Sequence, residues 1–266
     1  MPAYHAKKRL GQNFLQSKAV IDRVIELVAP EPDDAIVEIG PGQGALTLPL
    51  AASGATVWAV EFDRDLIGYL SALLSGHRNV HLINGDFLKF NPTAQQLDRF
   101  KLVGNLPYNI TSPVIDWCLR YRENLVSAVL MVQKELGARI SASPGSKDWS
   151  PLAIFTQSAF TVERMFDVAP TNFRPKPEVT STVIKLTPIH DGRTEVSGPF
   201  ERVVRASFGH RRKTLLNNLV SALASDTRLT AEILAELGLA ARTRAEELSI
   251  DQFLTLTAAL ARHKLV

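Results

Sequence analysis

"AIVEIGPGQGALT", residues 35–47, decides the fold of this 266-residue chain. Its first five residues are an apolar, β-rich run broken only by Glu38, and Gly40, Gly42 and Gly44 follow at once. A short, nearly continuous apolar run ending in glycines reads as a strand covered on both faces that leaves its sheet through a tight turn. Glycine lets the main chain turn left-handed there, and lets a ligand approach it beside a helix start. The pattern predicts that helix to begin near Ala45.

Working outward, the period repeats. "TVWAVEF" (56–62), "VHLINGD" (80–86), "KLVGN" (101–105) and "SAVLMVQ" (127–133) are further β-rich runs separated by helix-like segments. That alternation is expected of a parallel sheet with crossover helices, an α/β, Rossmann-like architecture. Upstream, "SKAVIDRVIELVAP" (17–30) has Ser17 as N-cap, Val20, Ile21, Val24, Leu27 and Val28 on one helical face, and Pro30 as the stop. Downstream come a helix from Lys134, a loop at 141–151, an apolar run to Phe160, and two more strands, "VERMFDVAP" (162–170) and "STVIKLTPI" (181–189). Between them, "TNFRPKPEVTS" is too proline-rich for helix or central strand.

Strand signals stop at "HDGRTEVSGP" (190–199), and "FERVVRASF", "RKTLLNNLVSALA", "TAEILAELG" and "SIDQFLTLTAALARH" all read as helices, the last opened by a Ser249/Gln252 capping box. Two domains are expected: 1–192, Rossmann-like with a basic N-terminal segment, and 193–266, small and all-α.

Composition is that of a globular protein, 45% hydrophobic and 21% charged, with a formal net charge of +3. The distribution of charge says more than the total. Residues 1–18 hold Lys7, Lys8, Arg9 and Lys18 with no acid, and 201–214 hold Arg202, Arg205, Arg211, Arg212 and Lys213 against Glu201 alone. Each cluster is either a solvated face or a phosphate-binding surface. Cys118, the only cysteine, excludes an internal disulfide and a cysteine-rich zinc site, and its surroundings suggest a buried small residue. No apolar run is long enough to cross a membrane, and none follows Lys7-Lys8-Arg9 as in a signal peptide, so a cytoplasmic protein is expected.

Glu61 ends the second strand about twenty residues past the glycines, where a carboxylate can bind both hydroxyls of a ribose. Asp86 ends the third strand and Asn105 the fourth. In a doubly wound sheet Gly40, Glu61, Asp86 and Asn105 share one rim, at the edge where ligands bind. Two other readings stay open here: Gly40-x-Gly42-x-x-Ala45 also meets a relaxed dinucleotide fingerprint, and a lone Asp at a strand end is commonly a turn cap.

"NLPY" (105–108) resembles the N/D-P-P-Y/F signature of methyltransferases that modify exocyclic or amide nitrogens. With "GQNFL" (11–15), "EIGPGQGALT" (38–47), "NFRPKPEVTS" (172–181) and "FGHRRKTLLNNL" (208–219), spread in order over nearly the whole chain, the sequence is similar to the ribosomal RNA adenine dimethyltransferases of the bacterial KsgA type. The resemblance implies S-adenosylmethionine as cofactor, with Asn13, Leu15, Gly40, Gly42, Glu61, Asp86 and Asn105 around it. It implies that Asn105 Oδ1 and a main-chain carbonyl near Leu106 grip an adenine amine, that Pro107 stiffens the loop, and that Tyr108 and Phe173 sandwich the base; the rival reading of Phe173 is a core ring fixing the proline-rich loop. It further implies that Lys7, Lys8, Arg9, Arg205, Arg211, Arg212 and Lys213 face RNA, with Leu215, Leu216 and Leu219 turned to the core. The expected partner is 16S rRNA in the immature 30S subunit; no membrane, metal or obligate protein partner is expected, and the chain is expected to be a monomer. The rivals are a dimethyltransferase of large-subunit RNA, a non-catalytic RNA-binding assembly or transcription factor on the same fold, and an NAD oxidoreductase.

Overall fold

A computed structural model describes residue 7, residues 10–190 and residues 198–266. Contacts divide the chain into two compact units, Met1–Gly137 with Thr161–Pro188, and Ala138–Phe160 with Ile189–Val266. The expected break after residue 192 falls within 191–197, outside the described residues.

The first unit is built on a seven-stranded sheet. Its strands are β2 (Ala35–Ile39), β3 (Thr56–Glu61), β4 (Val80–Asn84), β5 (Phe100–Asn105), β6 (Leu125–Gln133), β7 (Phe160–Val168) and β9 (Ser181–Pro188), in the order β4-β3-β2-β5-β6-β9-β7. Pairs β2/β3, β3/β4, β2/β5 and β5/β6 are parallel, and β6/β9 is antiparallel. All the strands expected from sequence are present. The chain runs outward from β2 through β3 to β4 and returns on the other side of β2 with β5, so the order reverses between β2 and β5. Such a reversal opens a crevice at the carboxyl ends of the strands.

The helices α1 (Lys18–Val28), α2 (Thr47–Ala52), α3 (Arg64–Leu73) and α4 (Thr111–Arg120) belong to this unit. Ser17 caps α1 by accepting from Val20 N, and Val24 and Val28 enter the core with Ile36, Val57, Val103 and Val129. Cys118, on α4, is fully buried, and that burial pushes its thiol pKa up. Gly104 is required by close approach: a Cβ there would lie 2.9 Å from Ile39 Cβ and 3.1 Å from Ile39 O, the residue it pairs with in β2.

One expectation needs correction. The glycine turn does not pass into a helix at Ala45; turns continue to Leu46, and α2 starts at Thr47. Pro49 explains the offset. With Thr47 as first residue, Pro49 is the third, a position whose N–H has no intrahelical partner anyway, whereas a start at Ala45 would set the proline ring against the Ala45 carbonyl. Before Ser181 the proline-rich segment, as expected, supplies no α-helix and no strand of the seven-stranded sheet. Phe173–Arg174 forms a two-residue strand, β8, antiparallel to β1 (Phe14–Leu15), with Leu15 opposite Phe173.

The second unit is helical: α6 (Pro151–Ala159), α7 (Gly198–Ser207), α8 (Leu215–Leu223), α9 (Thr227–Glu236) and α10 (Ile250–Arg262). The helix α5 (Lys134–Ile140) runs across the division between the units. Trp149 Nε1 donates to Leu248 O at 2.9 Å, and Phe155 meets the Phe200 ring edge-on, which gathers residues 138–160 around the C-terminal helices. The expected Ser249/Gln252 capping box opens α10. Leu215 and Leu219 are fully buried as expected, but Leu216 is half-buried.

Candidate active site

A cavity of about 300 Å³ opens at the carboxyl ends of β2 to β5. Gly40, Gly42, Glu61, Asp86 and Asn105 all line it, as does Asn13 from the N-terminal segment. The sheet thus brings together the four strand ends that sequence placed on one rim. Leu106, Pro107 and Tyr108 line it as well.

Glu61 is buried, with its carboxylate aimed by main-chain donors: Gly42 N donates to Oε2 at 3.1 Å and Asp63 N to Oε1 at 2.8 Å. Burial pushes the Glu61 pKa up, and the Asp63 and Gly42 amides hold it back down. Gly42 has a left-handed φ of 57°, and a Cβ there would lie 2.9 Å from Phe14 Cδ1, so conformation and space both require glycine. Asp86 combines both readings offered for it: it lines the cavity, and its Oδ1 accepts from Leu88 N to cap a turn.

At the end of β5, Asn105 Nδ2 donates to Asn13 O at 2.8 Å. That bond commits the donor end of the amide to the protein and leaves Oδ1 as the acceptor for a ligand. Leu106 N donates to Met131 O, which ties the loop to the neighbouring strand. Tyr108 is half-buried, its hydroxyl 3.3 Å from Ser181 Oγ. A held acceptor beside an aromatic face suits a flat base carrying an amine.

Leu15 and Phe173 are not brought to this cavity. Both sit in the hydrophobic core of the first unit, paired across β1/β8, and Phe173 is only 6% exposed. Phe173 thus has the surroundings of a core ring that fixes the proline-rich loop. Of the basic residues, Lys8 and Arg9 lie outside the described residues. Lys7 forms ion pairs with Asp63 and Asp65, each 2.6 Å. Arg205 pairs with Glu201 at 2.7 Å along its helix. Arg211, Arg212 and Lys213 are exposed in the loop before α8, with Arg211 Nη2 donating to Lys147 O.

Sequence reasoning missed three residues. Phe62, 62% exposed, lines the cavity directly after Glu61; its signal was an apolar residue left over where the strand ends. Asp63 is 4% exposed, and its only signal in the sequence is a second acid two residues after Glu61. Asn218 is buried in α8: Nδ2 donates to Ser207 O and His210 O, and Oδ1 accepts from His210 N. It thereby fixes the turn leading into the exposed cations. Below the rim, Glu38 is 2% exposed on β2, and burial raises its carboxyl pKa to about 8 although the neighbouring Thr47 hydroxyl draws it down. Oε2 of Glu38 and Oγ1 of Thr47 have no hydrogen bond of ordinary geometry. Among the described residues no group of three or more His, Cys, Asp or Glu could hold a metal ion, and no helix is long and apolar enough to cross a membrane.

A glycine turn, a strand-end carboxylate and an Asn-Leu-Pro-Tyr loop meet on one cavity of a mostly parallel sheet, a Rossmann-like arrangement, and the family comparison makes the chain a methyltransferase. The model of one family, ribosomal RNA adenine dimethylase, matches residues 3–262, and the chain belongs to that family. It is an rRNA adenine dimethyltransferase. The chain is 40% identical over 262 residues to ribosomal RNA small subunit methyltransferase A of Pseudomonas fluorescens, covering 97% of this chain and 95% of that protein. With the protein of the same name from Desulfitobacterium hafniense it shares 41% over 260 residues, 97% of this chain and 93% of that one. Among solved structures, a dimethyladenosine transferase from Plasmodium falciparum superposes with a TM-score of 0.80 at 25% identity, covering 94% of this chain and 98% of that one. The 23S rRNA methyltransferase ErmE superposes with a TM-score of 0.74 at 29% identity, covering 94% and 100%.

Proposed function

We propose that this enzyme transfers two methyl groups from S-adenosylmethionine to the exocyclic amine of each of two adjacent adenosines in the 3′-terminal hairpin of 16S rRNA, acting as a cytoplasmic monomer on the immature 30S subunit. The observation that carries the reading is the bond from Asn105 Nδ2 to Asn13 O beside the cavity, which leaves Oδ1 as the end of the amide available to accept. An adenine amine is a poor nucleophile because its lone pair is delocalised into the ring. An acceptor that grips an amine hydrogen favours the pyramidal form, in which the lone pair is available. Asn105 Oδ1, with a main-chain carbonyl near Leu106, supplies that grip, and Tyr108 offers a face for the base.

S-adenosylmethionine, when bound, supplies an electrophilic sulfonium methyl. The residues present fit it: Glu61, oriented by two amides, would take the ribose hydroxyls, Asp86 the adenine amine, and the open main chain at Gly40 and Gly42 would face its amino-acid end. The chain's contribution is positioning and a polar clamp. Once methylated, the amine is acidic enough for water to take its proton, so no strong base is needed on the rim.

The test is mass mapping of dimethyladenosine after incubation with labelled cofactor and unmethylated 30S particles, with 50S precursor particles alongside. Dimethylation of two neighbouring adenosines near the 16S 3′ end is expected. Modification of the 50S sample alone would instead assign the activity to large-subunit RNA, and label in neither would support the non-catalytic reading.

A further inference from the structure

Asp63 does more than start a helix. It caps α3, accepting from Asp65 N at 3.1 Å, a role that one oxygen fulfils and that Ser or Asn would fill as well. Yet Asp63 is nearly buried, and both of its oxygens are engaged. Oδ1 also takes Lys7 Nζ at 2.6 Å, and Oδ2 takes Gln12 Nε2 at 3.0 Å. Gln12 Oε1 in turn accepts from Lys7 N at 2.8 Å, which closes a ring of residues 7 and 12 on one carboxylate. A buried carboxylate stays charged only when paired in this way.

The segment so held is a wall of the cavity. Leu10, Gly11, Gln12, Asn13 and Phe14 all line it. Asn13 O holds the Asn105 amide, and Phe14 lies against Gly42. On its other side, Asp63 donates its own N–H to Glu61 Oε1. One acid therefore fixes the expected ribose ligand through its main chain and the N-terminal strap through its side chain.

We infer that Asp63 is a positioning residue of the methyl-donor cavity, latching the wall formed by residues 10–14 through Lys7 and Gln12, and that Lys7 serves this latch rather than an RNA phosphate. The inference rests on the cofactor reading given above. It is tested by calorimetric titration of the full chain with S-adenosylmethionine, together with initial rates on 30S particles. Asp63→Ser keeps a helix cap but loses the latch, so it should melt within about 2 °C of the parent. Its cofactor affinity should fall about tenfold, with KM for the cofactor rising and kcat little changed. Lys7→Met should weaken cofactor binding in the same direction and leave the salt dependence of RNA binding unaltered. The Lys7→Met/Asp63→Ser pair should lose less than the product of the single effects, since both cut one network.

Undiminished affinity in folded Asp63→Ser, or multiplicative effects in the pair, would overturn the latch. If Asp63→Ser does not fold, the Lys7→Met/Gln12→Ala variant decides on the same affinity criterion. A parent protein that does not bind S-adenosylmethionine would overturn the cofactor reading and the latch with it, whereas a binding parent with indifferent variants overturns the latch alone.

Discussion

The strand-end cavity and the basic loop at 208–213 use polar groups in opposite ways. In the cavity and just behind its wall the side chains are fixed and partly buried: Glu61 is held by two amides, Asn105 by Asn13 O, and, behind the wall, Asp63 by Lys7 and Gln12. In the loop the main chain is fixed, through the buried Asn218, while the cations Arg211, Arg212 and Lys213 remain exposed. Fixed side chains discriminate one small ligand by geometry. Long exposed cations on an anchored turn tolerate many arrangements of phosphate, which is what an RNA surface presents. The difference teaches that site chemistry and RNA affinity should be separable by mutation.

The largest effect should come from the cavity. If Asn105 supplies the proposed acceptor for the amine as it becomes tetrahedral, Asn105→Ala should slow methyl transfer at saturating cofactor by about 10²- to 10³-fold. Single-turnover rates on unmethylated 30S particles measure this, and a rate within threefold of the parent would break the assignment of the clamp.

Next comes the contrast between two rings. A once-methylated amine has one hydrogen left for the clamp, so stacking on Tyr108 matters more in the second transfer. Tyr108→Ala should slow that transfer by about 5- to 150-fold, the equivalent of roughly 1 to 3 kcal/mol of stacking, and monomethyladenosine should accumulate in a mass-spectrometric time course. Phe173, a core ring, should show up in stability instead. Phe173→Ala should cost about 3 to 5 kcal/mol in denaturant unfolding, while folded Phe173→Leu should keep the parental ratio of mono- to dimethyl product.

In the loop, replacing Arg211, Arg212 and Lys213 together by Ala should leave cofactor titration unchanged. The salt slope of RNA binding should become shallower by about two to three log units per log unit of salt. An unaltered slope would return the cluster to a solvated face.

The smallest effect concerns Glu38, beneath the rim. Its folded pKa, about 8, lies above that of an unfolded carboxyl, so the unfolded chain loses this proton first as pH rises. Stability should therefore fall between about pH 4.5 and 8 through this group and level off above. Glu38→Gln removes that slope: its melting temperature should exceed the parent's at pH 8.5, by roughly 2 to 4 °C per kcal/mol of relieved charge burial, and the gap should narrow toward pH 5. A gap that widens on acidification would contradict the burial argument.

Much of this was legible in the sequence because it is local. The strands announce themselves as apolar runs, and Gly40, Glu61, Asp86 and Asn105 each follow or close one, so a parallel sheet necessarily brings them to one edge. What was not legible depends on pairing across distance. Phe173 could be a stacking ring or a core ring until the β1/β8 register set it opposite Leu15. Lys7 reads as one of a basic run, and its partners stand 56 and 58 residues away. The start of α2 has a local reason instead: Pro49, four residues after Ala45, is compatible with the first turn of a helix but not with the second.

The contact between Gly42 and Phe14 carries a consequence for heredity and engineering. Because a single methyl at position 42 would intrude on the Phe14 ring, the glycine loop is not a portable cassette. A graft of residues 38–47 into another scaffold needs a compatible residue 14 to travel with it, and a lineage that accepted alanine at 42 would have to trim or re-aim the ring first. The two stretches, 28 positions apart along the chain, can change only in step.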